Sequence, residues 1–542
     1  MCQRSVTDRA LPVTGSPAAP RAEDRDEDTG RRSFAQVMSP FALGMIVMLA
    51  IALAARLYQL GAKPYWLDEV FTALRSSLAL PDLLADSLQN RHIPTFFLIE
   101  HAVIGLGLGS GPAMLRLIPA IAGAVSASLA FCIAWTLGGR AAAWLAGLLL
   151  ALAPMQVAFG QEARSYTLMI ALILLALLGL VILAGKPDAS ACPLHLPGAP
   201  RRAWAAYGFG TLGALLVLGD ALPWLLAASL AMAAAILPRT NSRRGLLRNW
   251  LLVHGLILLA AAPAYATLLT AVHHQVLQSF LWIPPLSLGT AWMDAASVYG
   301  LRGATMVTMQ LLPTPFGGLA LLAGILAILG AWRLKDRPAP LIVLAFAWLS
   351  LPATLALASL IHPVLLPRYL LWSAGPFCIL AGFGIEAFPR RFGRVGVLAL
   401  AALLVANLYS YYEAETKPRW DSAAGLLAER FEPGDLLLVS DGSAGVMLDF
   451  YRHGTDSRGP AWPISQEPSR AAAALAGGHR VFAVYGPAGQ GVQPDRAKFF
   501  AVAARLGRAG PPLRAGSEIT IRAINPDQPG PAVAGPPHSP RG

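Results

Sequence analysis

Charge is scarce in this sequence. Asp, Glu, Lys and Arg make up 13% of its 542 residues, whereas a soluble globular protein carries about 25%. Such a chain cannot present an ordinary water-facing surface along most of its length. Cysteine is also scarce. Cys2, Cys132, Cys192 and Cys378 are scattered, with no C-x-x-C and no Cys/His cluster, which excludes a disulfide framework or a zinc ribbon. Cys132 and Cys378 lie inside apolar runs and read as packing residues. No Gly-rich phosphate loop is present; "GPAGQG" near residue 486 reads as a turn. The first forty residues, with "RAEDRDEDTGRR", lack a signal-peptide pattern.

Hydrophobic residues are plentiful. They form 55% of the chain, and the mean hydropathy is +0.54, so the class is a multi-span membrane protein. The net charge of +12 does not indicate nucleic-acid binding. Its basic residues sit in short clusters between apolar runs, which is the topology signal of membrane proteins.

Apolar runs of spanning length start near Phe41, Ala113, Ala141, Ser165, Trp204, Pro223, Trp250, Thr314, Ala339, Leu370 and Val395, eleven in all. Residues 93–109, "IPTFFLIEHAVIGLGLG", are ambiguous because Glu100 and His101 stand in the middle. Loop charge decides the matter. After residue 110, the loops around Arg140, Lys186 to Arg202, Arg239 to Arg248, Arg333 to Arg337 and Arg390 to Arg394 hold fourteen Lys/Arg; the alternate loops hold three, Arg164, Arg302 and Arg368. The positive-inside rule places the first set and the N-terminal tail in the cytoplasm. Both placements hold only if residues 93–109 lie along the outer interface as an amphipathic helix. Residues 81–89 form a second such helix.

The expected fold is therefore an α-helical polytopic membrane protein of about eleven spans, with juxtamembrane helices in its first outer loop and a small C-terminal α/β domain. The expected organisation is a disordered cytoplasmic tail (1–40), a transmembrane domain (41–410), an outer α/β domain (411–524) and a disordered tail (525–542). "DLLLVS", "RVFAVYG" and "SEITIRAI" read as strands of the α/β domain, and "AKFFAVAARLG" as a helix.

Residues 65–77, "YWLDEVFTALRSS", set Asp68 and Glu69 side by side just beyond the first apolar run. A charge at the bilayer centre costs roughly 2.5–3.5 kcal/mol, so two carboxylates at the mouth of a span need a reason. Neighbouring helical residues point about 100° apart, and the two cannot share one target. The plain structural reading is that acids open a juxtamembrane helix, where the dipole favours them. Two arginine motifs on the same face favour a site instead. "FGQEARSYTL" places Arg164 and Tyr166 at a hairpin tip, and "HPVLLPRYLL" places Arg368 and Tyr369 at a span entrance. An arginine at a membrane surface often only snorkels. It is also the side chain suited to grip a phosphate with a planar fork. His92 in "RHIP" is either a phosphate contact or a surface histidine. His273 and His274 lack acids at ligand spacing, and Asp220 reads as a turn residue. Together these parts fit an acid that deprotonates an acceptor hydroxyl and arginines that hold a phosphate leaving group.

These motifs in this order resemble the bacterial polyprenyl-phosphate-sugar-dependent membrane glycosyltransferases related to protein O-mannosyltransferases and to the aminoarabinose transferases of lipid A. The matching pieces are "YWLDEVFTALRSS", "RHIPTFFLIEHAVIGLG" with "MLRLIPAIAGA", "LALAPMQVAFGQEARSYTL", "HPVLLPRYLLWSAGP" and "PRWDSAAGLLAERFEPGDLLLV", covering about residues 40–440. The resemblance implies a polyprenyl-phosphate sugar donor, with Asp68 as catalytic base and Glu69 beside it. It places Arg164 and Tyr166 at the donor phosphate. The family's His-Pro-Pro element is replaced here by His-Ile-Pro at residues 92–94. The acceptor class implied is a glycan, a lipid or a protein hydroxyl. No cofactor and no metal ligands are assigned, and a divalent-metal requirement stays open. Two other classes compete: a transporter or lipid flippase, which would show repeats and midplane charges, and a non-catalytic envelope-assembly protein.

Overall fold

The computed structural model describes residues 39–185, 199–270, 283–455, 461–489 and 494–526. Cys2, Cys192, His273, His274 and both expected tails lie outside the described residues, apart from residues 39, 40, 525 and 526 at their edges. Among the described residues, eight helices are long and apolar enough to cross a membrane. A bent pair, Arg140–Leu152 with Pro154–Gly160, makes a ninth. The two remaining expected spans are the helices Ala199–Val217 and Leu319–Arg333; the first opens with Arg201 and Arg202, and the second has 15 residues. Every apolar run marked in the sequence thus falls on a helix. The protein is a polytopic membrane protein with a small C-terminal sheet.

The bend has a local cause. Pro154 lacks an N–H, and the residue before a proline avoids the α region; Ala153 is accordingly extended (ψ 122°) and the two helices meet at 58°. Carbonyls near the break then need other donors. Arg56, buried at the end of helix Pro40–Leu57, donates from Nη1 to the Ala151 carbonyl (2.9 Å) and from Nη2 to that of Leu150 (3.2 Å). Gly123 makes room, since a Cβ there would lie 2.4 Å from the Arg56 Nε. The bend delivers the chain to the 161–165 turn, which carries Glu162 and Arg164.

Between the first and second spans the chain forms three short helices, Leu67–Ser76, Leu80–Gln89 and Thr95–Val103. At 1.5 Å per residue, the nine residues of the last reach about 14 Å, far short of a hydrocarbon core of about 30 Å. Its continuation ends at Gly107 and Gly109, both with positive φ (78° and 86°). The whole run Thr95–Leu108 reaches about 21 Å at 1.5 Å per residue, still too short to span.

The C-terminal sheet has five strands in the order β2-β1-β3-β5-β4, with β1 Leu436–Val439, β2 Ile464–Ser465, β3 Val481–Tyr485, β4 Arg508–Ala515 and β5 Ile519–Asn525. β2, β1 and β3 run parallel, whereas β5 is antiparallel to both β3 and β4. β2 and β4 are additional to the three strands read from the sequence. Pro511 and Pro512 of β4 fit only an edge; β4 pairs with β5 alone and its register shifts between Ala509 and Pro512. One core joins the sheet to the first loop: Tyr65, Leu67, Val70 and Ala73 pack with Trp420, Leu437, Met447 and Phe482. Residues beyond the last span therefore buttress the segment that carries Asp68.

Candidate active site

Helix Leu67–Ser76 begins after Trp66, whose backbone is extended (φ −102°, ψ 174°). Asp68 and Glu69 occupy its first turn, where the dipole favours acids, and they diverge at once. Asp68 turns to a cavity. Its Oδ2 lies 3.6 Å from Arg368 Nη1 and 3.9 Å from Arg164 Nη2. Three residues from distant parts of the sequence thus meet in one cluster. The carboxylate is 22% exposed, against 13% for Arg164 and 6% for Arg368, so the acid is the most accessible of the three.

Two cavities adjoin this cluster and meet at Arg164. One, of about 490 Å³, is lined by Asp68, Phe71, Arg75, Asp86, His92 and Arg164. The other, of about 270 Å³, is lined by His92, Arg164, Tyr166, Asp220 and Tyr369, with Phe96, Phe97 and Val217 on its apolar side. His92 and Arg164 belong to both walls. The Arg368 guanidinium lies over the Tyr369 ring, 5.2 Å from its centre. Burial, then Arg164 and Arg75, push the His92 imidazole down to about 3. It is neutral near pH 7 and can offer a hydrogen bond but no positive charge.

Glu69 lies elsewhere. It is fully buried and lines neither cavity. Its Oε1 accepts from Arg116 Nε (2.7 Å) and the Ala163 N–H (2.9 Å), and its Oε2 from Arg116 Nη2 (2.9 Å) and Lys417 Nζ (2.6 Å). Burial raises its pKa, but Arg116 and Lys417 outweigh that and hold the carboxyl below the ordinary range. Arg116 also donates to the carbonyls of Leu60 (3.0 Å), Lys63 (2.8 Å) and Pro64 (3.0 Å), which spends its whole fork on the Asp68 approach. The bond from Ala163 ties the same network to the Arg164 turn. Trp66 Nε1 donates to Glu162 Oε1 (2.8 Å), adding a second tie. Burial is the main cause that pushes the Glu162 carboxyl up to about 8.

No family model matches the sequence, and no curated protein matches it. Solved structures do. ArnT from Cupriavidus metallidurans in the apo state is similar with a TM-score of 0.54 and 16% identity, over 88% of this chain and 97% of that one. The same protein bound to undecaprenyl phosphate gives 0.51 and 17%, with the same coverage. The archaeal oligosaccharyltransferase AglB from Archaeoglobus fulgidus, in complex with an inhibitory peptide and a dolichol-phosphate, gives 0.51 and 12%, over 86% of this chain and 71% of that one. The chain has the fold of ArnT and AglB. The fold expected from the motif resemblance is thus present over nearly the whole chain.

On this ArnT-like fold, the side chains singled out in the sequence fall into two groups. Asp68, His92, Arg164, Tyr166 and Tyr369 line the two cavities, and Arg368 lies beside Asp68 and Tyr369. Glu69 joins a buried network instead. Sequence reading did not mark Arg116, Lys417 or Glu162 as members of that network. Arg116 stands in the quoted "MLRLIPAIAGA", and an arginine at the entrance of an apolar run was the available signal. Asp220 also lines the smaller cavity, a place that a turn reading gave no reason to expect. Among the described residues, no group of three or more His, Cys, Asp or Glu is placed to hold a metal ion.

Proposed function

We propose that the protein is an integral-membrane glycosyltransferase. It moves a sugar from a polyprenyl-phosphate-linked donor to a hydroxyl-bearing acceptor at the outer face of the cytoplasmic membrane. The acceptor belongs to the cell envelope: a glycan, a lipid or a protein. One observation carries the reading. Asp68 lines the larger cavity and lies 3.6 and 3.9 Å from two arginine guanidiniums, one of which, Arg164, lines both cavities. The likeness to structures that hold undecaprenyl phosphate and dolichol-phosphate supports the donor class.

Asp68 accepts the proton of the acceptor hydroxyl as its oxygen attacks the anomeric carbon. The bond from that carbon to the phosphate oxygen breaks, and the departing phosphate carries the charge. Arg164 and Arg368 neutralise it from positions fixed before the reaction. Donor binding draws the two forks from the carboxylate to the phosphate. Tyr166 and Tyr369 offer hydroxyl donors to the same group, and His92 a neutral ring nitrogen. Glu69 acts through Arg116, Lys417 and Ala163 as a positioning residue. The charged groups gather at the ends of helices, which favours surface transfer over a transporter's midplane site.

The arginines provide the first test. Arg164→Lys and Arg368→Lys keep the charge but lose the planar fork. Each is expected to weaken donor binding roughly tenfold or more, since a charge-assisted hydrogen bond contributes about 1.5–3 kcal/mol. Donor binding and turnover are measured on purified variants at matched folded concentration. Unchanged values in both variants would reduce the arginines to snorkelling residues.

The orientation has its own test. The basic loops set residues 61–112 and 411–524 on the outer side. Single cysteines at Gly61, Gly107 and Gly442, in a cysteine-free background, are expected to react with an impermeant reagent added to intact cells. Protection of Gly442 alone would place the C-terminal sheet inside and undo the assignment.

A further inference from the structure

Four of the spanning helices have an end at a third cavity, away from Asp68. It is lined by Thr136, Leu137 and Gly138 at the end of Pro112–Thr136, and by Gly185 just past Tyr166–Ala184. Arg239 closes Gly219–Arg239, while Arg337 precedes Pro338–Ser359. The cavity measures about 490 Å³, and among the described residues no Asp or Glu lines it. We propose that it binds the phosphate headgroup of an anionic phospholipid.

The chemistry points to an anion. Arg337 Nη1 donates to the Leu137 carbonyl (2.6 Å). Arg239 Nη1 donates to the carbonyls of Ala234 (3.1 Å) and Ala235 (2.9 Å). A guanidinium has five N–H donors, so each fork is anchored by one nitrogen and keeps donors for a ligand. Anchoring in advance lowers the ordering cost of binding. Gly138 has φ +84°, and a Cβ there would stand 3.4 Å from Arg337 Nη1; glycine lets the backbone turn close to the guanidinium. Pro338–Ser359 also starts at this wall, and its N-terminal dipole favours negative charge. Cavity, paired arginines and helix start agree.

The position points to a lipid. Pro112–Thr136 has Arg116 near its other end, Tyr166–Ala184 starts at Tyr166, and Gly219–Arg239 has Asp220 in its first turn. These three helices run from the active-site region to the third cavity. Nineteen to 25 residues each, at 1.5 Å per residue, span about 28–38 Å, roughly one hydrocarbon thickness. The cavity thus opens at the far bilayer surface. Arg239 and Arg337 belong to the loops that hold fourteen Lys/Arg, the set that faces an anionic leaflet. Leu137, Val181, Ala339 and Pro340 supply apolar wall beside which an acyl chain can lie.

The full-length protein is reconstituted in nanodiscs of phosphatidylcholine with or without phosphatidylglycerol. Retained lipid is counted by native mass spectrometry, and the thermal midpoint is measured in parallel. Wild type is expected to retain phosphatidylglycerol over phosphatidylcholine and to melt higher when it is present. Arg239→Gln with Arg337→Gln is expected to lower retention roughly tenfold or more and to abolish the midpoint gain. Sugar transfer in phosphatidylcholine should stay at the wild-type level. Arg239→Lys with Arg337→Lys keeps the charge and guards against a folding defect; its retention should fall less than that of the Gln pair. Equal retention of the two lipids by wild type, or unchanged retention in both double variants, overturns the proposal. Displacement of phosphatidylglycerol by millimolar inorganic phosphate overturns the lipid assignment in favour of a soluble phosphate. Lipid retention and the thermal midpoint require no sugar donor, so the proposal and the transferase reading fail separately.

Discussion

Asp68→Asn is expected to leave the protein folded and able to bind donor while lowering sugar transfer by about 10²–10⁴-fold, the usual contribution of a positioned base. Asn keeps the size and shape of the side chain but cannot take a proton. The carboxylate stands 3.6 and 3.9 Å from its arginine partners and is 22% exposed. Its loss leaves Arg164 and Arg368 without a counter-charge, so the cost lies between the roughly 0–1 kcal/mol of an accessible ion pair and the roughly 3–5 kcal/mol of a buried one. A second consequence follows from the same geometry. The native carboxylate competes with the donor phosphate for the two guanidiniums, so the Asn variant should bind donor at least as tightly as wild type. Turnover of a polyprenyl-phosphate sugar and donor affinity are measured on the same preparation in nanodiscs. Turnover near wild type would sink the base assignment. Weakened donor binding would move Asp68 from the chemistry to substrate binding.

The convergence of Asp68, Arg164 and Arg368 was legible because membrane proteins reveal their ends. Hydropathy marks where each span starts, and loop charge sorts the ends into two sets. Polar residues at ends of one set share a face, whatever their separation in sequence. The same logic kept residues 93–109 from crossing, and the nine-residue helix Thr95–Val103 agrees with it. Inside a set, the sequence is silent on which side chains touch. Asp68 and Glu69 look alike as letters, yet one faces a cavity and the other meets Arg116 and Lys417, 47 and 348 residues away. Lys417 follows the last span in a polar stretch and carried no sign that it would be buried. β4 was hidden for another reason. "RAGPPLRA" has no alternation and two prolines, and only its place at the sheet edge makes it a strand.

Glu69→Gln separates these two carboxylates by experiment. The variant is expected to lose about 3–5 kcal/mol of stability, the usual cost of breaking a buried ion pair, because Arg116 and Lys417 remain buried without their counter-charge. A Gln amide also sets N–H donors against partners that are themselves donors. The loss should appear as a lower thermal midpoint in detergent and a smaller folded fraction. Transfer per folded molecule should fall less than in Asp68→Asn, since the network holds the Asp68 helix and the Arg164 turn without meeting substrate. The pH dependence follows from the depressed pKa of Glu69. A carboxyl held below its unfolded value, about 4.3 for Glu, contributes stability that is fully present above that pH and is lost as pH falls toward the folded value. The wild-type midpoint should therefore drop as the solution is acidified below about pH 4.3, and the Gln variant, already without the charge, should show a shallower drop. A Glu69→Gln protein as stable as wild type at neutral pH, with turnover reduced as far as in Asp68→Asn, would place Glu69 in the chemistry and remove it from the scaffold.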